Sequence, residues 1–522
     1  MSAINPDNQV MQNKLRMLPS KTLLYDYIKS HNKGFCDKVS HISLMDFIDK
    51  AVSQCREELI GGVKFPGNMT REFLLEHISA LIVKIYEDGF KINISLREVV
   101  NATGIVLHTN LGRAPVLKKN GVDLRKHYYK QPGCEDDSGL MDYPAETGYC
   151  NLEFDIESGR RGRRDDHFKN IMKTLTGAED AILVNNNAAA LFLIAKTLCV
   201  KREIVLARGE AVEIGEGFRI CELFNSAGAV IREVGATNSV NLRDYESAFN
   251  KKTAMAAKIH SSNFKIKGFV NIFNALELPA AAKKYGVISY CDSGSGMIDR
   301  KFFDNADYLD DEYSIRELIN AGYDLVSFSG DKLFGSMQCG IICGRTELIA
   351  RLRSNQLYRA LRVSKTVISE ITRTAFEYAA GNPSENILTL KLLNNTADNL
   401  KKEAEHLLES LRIEKIYDEK IVCGKILDFE ILPVLSSSGG GSAPEEYLKS
   451  YGVAIRRTPD TPPEITLEAL AYFMRRNNPP VIGYIDSDRY ILNMRAVLKH
   501  QIEFIKEAVI KFLLSLRDKV DK

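Results

Sequence analysis

Lys332 lies in SFSGDKLFGSMQCGIICG, residues 327–344, a loop of small residues between two apolar runs. YDLVSFSG, before the lysine, has the Val, Phe and Tyr content of a buried strand, and CGIICG after it reads as a second short strand. A lysine held between two strands is partly desolvated. Its pKa falls, and the neutral amine becomes available to form a Schiff base with an aldehyde cofactor. A lone lysine in a glycine-containing loop is more often a surface turn residue, so the assignment depends on its companions.

Three features accompany it. Ser329 precedes Lys332 in an S-x-x-K arrangement, so one tight loop offers a hydroxyl to a phosphate and an amine to an aldehyde. Upstream, GVISYCDSGSG is an apolar strand that ends in Asp292. A carboxylate at the C-terminal end of a strand opens onto the ligand crevice of a parallel α/β sheet, and paired with a pyridine nitrogen it keeps the ring an electron sink. A plain turn or helix N-cap is the alternative. In GAEDAILVNNNAAALFLIAKTL, a strand from Ala181 to Val184 meets Asn185–Asn187 and then a helix. The amides at the start of that helix, at Asn187, Ala188 and Ala189, form an anion site, unless this is an ordinarily capped helix. Taken in order, the three features are similar to the layout of pyridoxal-phosphate enzymes with an aspartate-aminotransferase-like fold. They predict pyridoxal 5'-phosphate as cofactor.

The elements around these residues set the architecture. Residues 1–95 read as a helical domain, with Leu44, Phe47, Ile48, Val52 and Cys55 at helical spacing in LMDFIDKAVSQCREELI. Residues 96–345 alternate apolar strands (REIVLARGE, GAVIREVGA, TAMAAKIHSS) with amphipathic segments, which predicts a large α/β domain with a mostly parallel sheet. A polar interval at 118–149 breaks the rhythm and reads as an inserted loop, with a lid as the alternative. Residues 346–522 read as a smaller α+β domain, with helices, a Ser/Gly loop at 436–444 and a late hairpin in PPVIGYIDSDRYILNMRAVL.

Composition narrows the class. The 522 residues are 45% hydrophobic and 26% charged, with a net charge of +2 that gives no overall sign of nucleic-acid binding. The most apolar stretch is interrupted by asparagines and Lys196, so no membrane span is expected. The N-terminus lacks the apolar core of a signal peptide and reads as cytoplasmic. Ten scattered cysteines without a C-x-x-C suggest neither a disulfide framework nor a metal site.

VVNATGIVLHTNLGRAP at 99–115, NLEFDIESGRRGRRD at 151–165, RGEAVEIGEGFRI at 208–220, and VNNNAAA, HSSNF, DSGSG, SFSGDKLFG and RALRVSK together resemble bacterial selenocysteine synthase, the L-seryl-tRNA(Sec) selenium transferase family. The resemblance runs in order from about residue 95 to the C-terminus. It implies conversion of seryl-tRNA(Sec) to selenocysteinyl-tRNA(Sec) through an aminoacrylyl-tRNA intermediate, with selenophosphate as donor. Lys332 matches the family's Schiff-base lysine and Asp331 the acid beside it. Arg113, Arg359 and Arg362 match arginines that hold the selenium donor, and guanidinium forks suit such a dianion. The resemblance also implies tRNA binding by the helical domain and a homo-oligomeric ring of dimers. Arg160, Arg161, Arg163 and Arg164 read either as contacts to tRNA phosphates or as a solvated loop. Arg495 lies where related folds bind a free carboxylate, which an ester substrate lacks, so pairing with a local acid is its other reading. The 118–149 insertion, Ser293, Ser336 and Ser364 depart from the family pattern. Two alternatives remain at this stage, a lyase acting on a free amino acid or amino sugar and a non-catalytic tRNA-binding relative.

Overall fold

The computed structural model describes residues 15–32, 35, 39, 41–60, 69–93, 98–116, 149–214, 217–260, 264–304, 306–309, 312–413, 426–440 and 447–520. All but the last residue of the 118–149 insertion lies outside them. Two compact units are present, Met1–Glu98 and Val99–Lys522.

The described residues of the first unit include the helices α1 (Lys21–His31), α2 (His41–Ile60) and α3 (Arg71–Asn93). Each has an apolar stripe at helical spacing. Leu24 and Ile28, then Leu44, Ile48 and Cys55, then Leu74, Ile78 and Ile82 make one core, with Phe47 and Val52 packed on its edge. The Ser20 side chain caps α1 by accepting from the Leu23 amide.

The second unit is organised on a seven-stranded sheet. Its strands are β1 (Asp180–Val184), β2 (Glu203–Ala207), β3 (Val230–Val234), β4 (Thr253–Ile259), β5 (Ile288–Gly294), β6 (Leu325–Ser329) and β7 (Gly340–Gly344). In space they run β1-β7-β6-β5-β4-β2-β3. All run parallel except β7, which is antiparallel to both β6 and β1. The Lys332 loop joins β6 directly to β7, and a connection that short can only reverse the chain. Both sheet faces are covered, so the strands alternate between two cores. Ile182 and Val184 face α4 (Asn187–Leu198), whereas Ala181 and Leu183 belong to the core on the other face. At Gly340 an added Cβ would meet the Asn186 carbonyl oxygen at 2.3 Å, so only glycine lets β7 pass the end of β1.

Beyond the sheet come α5 (Gln356–Leu361), α6 (Lys365–Ala380) and α7 (Ala397–Ile413). A four-stranded antiparallel sheet follows, made of β8 (Leu427–Ser436), β9 (Leu448–Arg457), β10 (Tyr484–Asp486) and β11 (Arg489–Asn493) in the order β8-β9-β11-β10. With α7, α8 (Leu467–Arg476) and α9 (Ile502–Val520) it encloses a third core. The β10–β11 hairpin is the one read from sequence. The ten-residue strands β8 and β9 were not, because Pro433 and the interspersed charges argue against a strand. β8 is an edge strand, where proline is tolerated. The Ser/Gly run that follows β8 packs closely on residues 105–107. The Leu107 amide donates to Ser438 at 2.7 Å, and a Cβ at Gly439 would lie 2.3 Å from Ile105. No described helix is long and apolar enough to cross a membrane.

Tyr245 joins β2 to β4 from a fully buried position. Its hydroxyl accepts from the Ala207 amide and donates to the Ala257 carbonyl, both at 3.0 Å. Tyr245→Phe strands both backbone groups and should cost about 1–3 kcal/mol. Urea denaturation measures it, and an unchanged midpoint would show that the bridge carries no weight.

Candidate active site

Lys332 is buried, with 9% exposure, in a loop fixed by its own backbone. The Gly330 amide donates to Cys339, Ser336 to Gly330, and Leu333 to Ser295, at 2.8–2.9 Å. Burial holds the Lys332 amine below its ordinary pKa. The Asp292 carboxylate opposes that shift and the Arg113 guanidinium reinforces it.

Asp292, near the end of β5, is buried beside it. Its carboxylate accepts from the Asn187 side-chain amide at 2.7 Å and the Gly294 amide at 3.0 Å. Burial pushes the carboxyl up, and Asn187, then Lys332, pull it back. Register sets Asp292 opposite Ser327 on β6. The Ser327 hydroxyl donates to Asn187 Oδ1 at 2.9 Å and pairs with the Tyr290 hydroxyl at 2.7 Å. Asn187 is thus held at both ends of its amide and aimed at Asp292. The sequence reading placed Asn187 in a phosphate site and missed Ser327, although Ser327 and Ser329 share a strand face through the two-residue period.

Helix α4 starts as expected but with one correction. Asn186 is its N-cap, and the Asn186 side chain accepts from the Ala189 amide at 2.8 Å. That amide is therefore occupied, while the Asn187 and Ala188 amides have no partner among the described residues. A desolvated lysine, a buried carboxylate with an oriented amide, and two helix-start amides form a donor set that fits pyridoxal phosphate. Ser329 is buried at the end of β6, within the same loop region.

Arg113 reaches this loop from far along the chain. Its guanidinium lies 3.2 Å from the Asp331 carboxylate, and the Ala114 amide donates to the Asp331 carbonyl at 3.3 Å. Arg113 has φ +63°, a left-handed conformation that costs a non-glycine residue about 1–3 kcal/mol. Arg359 is exposed on α5. Arg362 follows α5 and lies 3.6 Å from Glu153, which also binds Arg164 at 2.7 Å and Arg161 at 2.9 Å. Arg164 foremost, and then Arg161, hold the Glu153 carboxyl below its ordinary value against the effect of burial. The three predicted donor-binding arginines share no common partner among the described residues. A link to the helix start does exist. The Asn185 amide donates to the Leu361 carbonyl at 2.9 Å, which ties the end of α5 to the residues just before α4.

Two further readings change. Arg164 also donates to the Val363 carbonyl at 2.9 Å, so it is a packing residue, while Arg160, Arg161 and Arg163 lie at or near the surface. Among the described residues Arg495 forms no ion pair with an acid. Its guanidinium donates to the carbonyls of Leu392, Leu393, Asn395 and Lys449, and burial brings its pKa down to about 10. The departures from the family pattern have local explanations in two cases. Ser364 is the N-cap of α6, a role a carboxylate fills equally well, and the Ser336 hydroxyl accepts from Thr374 at 2.9 Å. Sequence reasoning also missed Glu312. Its carboxylate accepts from Ser295 at 2.6 Å and lies 3.0 Å from His260 Nε2. Burial alone would lower the His260 pKa, but Glu312 outweighs it and the net shift is upward.

The sequence profile of the L-seryl-tRNA selenium transferase family matches residues 99–498. A protein of Carboxydothermus hydrogenoformans named L-seryl-tRNA(Sec) selenium transferase is 36% identical over 423 residues, covering 81% of this chain and 83% of its own. One of the same name from Aquifex aeolicus is 34% identical over 506 residues, covering 96% of this chain and 100% of its own. An alignment that long takes in the helical unit. Among solved structures, D-glucosaminate-6-phosphate ammonia-lyase superposes with a TM-score of 0.52 at 16% identity, covering 83% of this chain and 99% of that one, a likeness of fold.

Asp292 has its pKa raised on folding, so the folded chain binds that proton more tightly than the unfolded one, and stability is lost as pH rises above the ordinary aspartate value. Asn187→Ala removes a group that lowers this pKa. It should cost about 1–3 kcal/mol more at pH 7 than at pH 4 in the cofactor-free protein. Equal cost at both values, by denaturant titration, would mean that Asn187 does not act through the carboxyl. Arg113→Gly should leave stability within about 1 kcal/mol of the parent, because relief of the left-handed strain offsets a half-exposed ion pair. A calorimetric loss well beyond that would make the guanidinium structural.

Proposed function

The chain belongs to the L-seryl-tRNA selenium transferase family, pyridoxal-phosphate-dependent enzymes with an aspartate-aminotransferase-like fold, and we propose that it converts seryl-tRNA(Sec) to selenocysteinyl-tRNA(Sec) with selenophosphate as donor. The observation that carries the site assignment is the buried Lys332 beside Asp292, with Asn187 fixing the carboxylate. When bound, pyridoxal phosphate withdraws electrons from the α-carbon of an attached amino acid. Lys332 would be its covalent anchor, and the freed amine would be the base that moves the α-proton of the seryl group. Its lowered pKa keeps more of the amine neutral near pH 7 than an exposed lysine would have. Asp292 holds a proton at the ring nitrogen. Ser329 and the Asn187 and Ala188 amides hold the phosphate, beside the capped Ala189 amide.

The β-hydroxyl leaves as water, selenium bonds to the β-carbon, water cleaves the Se–P bond to release phosphate, and the α-carbon takes back its proton. Arg113, Arg359 and Arg362 hold the selenophosphate dianion, with Asp331 orienting Arg113. The strained backbone of Arg113 supports this, since such strain persists where a side chain must be presented in one direction. The helical unit contributes tRNA contacts, and a homo-oligomeric ring of dimers brings the exposed Arg359 to a site shared between subunits. A substrate of charged tRNA places the reaction in the cytoplasm.

Selenium incorporation into seryl-tRNA(Sec) from selenophosphate tests the whole reading. Lys332→Ala should abolish both incorporation and the visible absorbance of the bound cofactor. Arg359→Ala should keep that absorbance and lose incorporation by at least about tenfold, the weight of one charge-assisted contact. Loss of absorbance in Arg359→Ala, or full incorporation by it, would remove that arginine from the donor site.

A further inference from the structure

A cavity of about 540 Å³ opens at the C-terminal ends of β2 and β4, where Ala207, Lys258 and His260 form one wall and Phe264, Val270 and Phe273 line the other. Its size is that of a small-ligand site. It adjoins the proposed chemistry. The His260 amide donates to the Asp292 carbonyl at 3.0 Å, and Glu312, another wall residue, binds Ser295, whose carbonyl accepts from Leu333 beside Lys332. Lys258 is paired within the cavity with Glu210, which also accepts from the Ile259 amide at 2.8 Å, and Lys265, Arg300 and Glu317 add charged groups to the lining. An apolar wall facing polar edges suits a flat, neutral heteroaromatic ring.

The segment that supplies the apolar wall, FKIKGFVNIF at 264–273, has a second property. Gly268 turns at φ +105°, and the next residue, Phe269, is 98% exposed on a backbone pinned by the Asn238 side chain, which donates to its carbonyl at 2.6 Å. Lys265 and Lys267 flank it. Cations interleaved with an exposed aromatic ring are the means by which proteins hold single-stranded nucleic acid. The nucleic acid in this reaction reaches the active site through its single-stranded 3' end, since the reacting serine is esterified to the terminal ribose.

We propose that segment 264–273 and the cavity it lines receive the single-stranded 3' end of the substrate tRNA, with the terminal nucleoside in the cavity and Phe269 stacked on a preceding base. The inference rests on the tRNA-dependent reaction given above and adds the place where the acceptor end docks. His260 and Glu312 separate the nucleoside from Asp292, so the ester is delivered to Lys332 from the side of β4. The lysines neutralise the backbone phosphates that precede the terminal residue.

The test uses the full-length cofactor-loaded enzyme and two forms of tRNA(Sec), one intact and one lacking its 3'-terminal unpaired nucleotides. Phe269→Ala alters a fully exposed side chain, and Val270→Trp adds bulk at a half-exposed position on the cavity rim. The parent should bind the truncated tRNA about tenfold or more weakly than the intact one, from the loss of stacking. Each variant should bind intact tRNA about tenfold more weakly than the parent does and truncated tRNA equally well. Its cofactor absorbance and its mass in solution should be unchanged. Equal weakening with both tRNAs, or none with either, overturns the inference. A change of mass in Phe269→Ala also overturns it, by showing that a second copy of the chain covers this surface. If the parent binds intact tRNA and converts it while the variants match the parent, only the docking site falls. If the parent neither binds nor converts it, the tRNA-dependent reading falls and takes the docking site with it.

Discussion

Two opposite groups, the Lys332 amine and the Asp292 carboxyl, are buried side by side at the C-terminal ends of the inner strands of the central sheet, and each is pulled away from its ordinary ionisation by loss of water. Burial disfavours the charge on both. Each also stabilises the charge on the other and so opposes the effect of burial. Much of the surrounding structure maintains that condition. Asn187 and Gly294 satisfy the carboxylate without neutralising it, and Ser327 and Tyr290 fix the Asn187 amide so that its donor end faces Asp292.

The sheet order makes this arrangement available. β5 and β6 lie side by side and parallel, so their C-terminal ends present Asp292 and the Lys332 loop to the same crevice. β7 then returns between β6 and β1, which carries the chain past the start of α4. Gly340 is the point of closest approach. The helix-start amides, the carboxylate and the lysine therefore come from three separate connections that converge at one edge.

The site extends outward in two directions from this pair. Toward α4 lie Asn185, the end of α5 and the arginines gathered near Glu153. Toward β4 lie His260, Glu312 and the cavity, whose lining sets Phe264, Val270 and Phe273 among charged side chains.

The sequence alone determined whatever depends on short range. Lys332 between two strands, Asp292 at the end of a third and an asparagine cap on α4 were legible because strand period, turn chemistry and capping act over a few residues. The family motifs extended that reading to the chemistry. What only the tertiary structure decided is who partners whom. Arg113 meets Asp331 across 218 positions, Asn187 meets Asp292 across 105, and Ser327 meets Asn187 across 140. The same holds for Arg495, whose place in sequence suggested a carboxylate or a local acid while its guanidinium in fact serves four backbone carbonyls. No periodicity encodes such pairs, because they follow from strand order and register, which are settled by how the whole sheet buries its two faces.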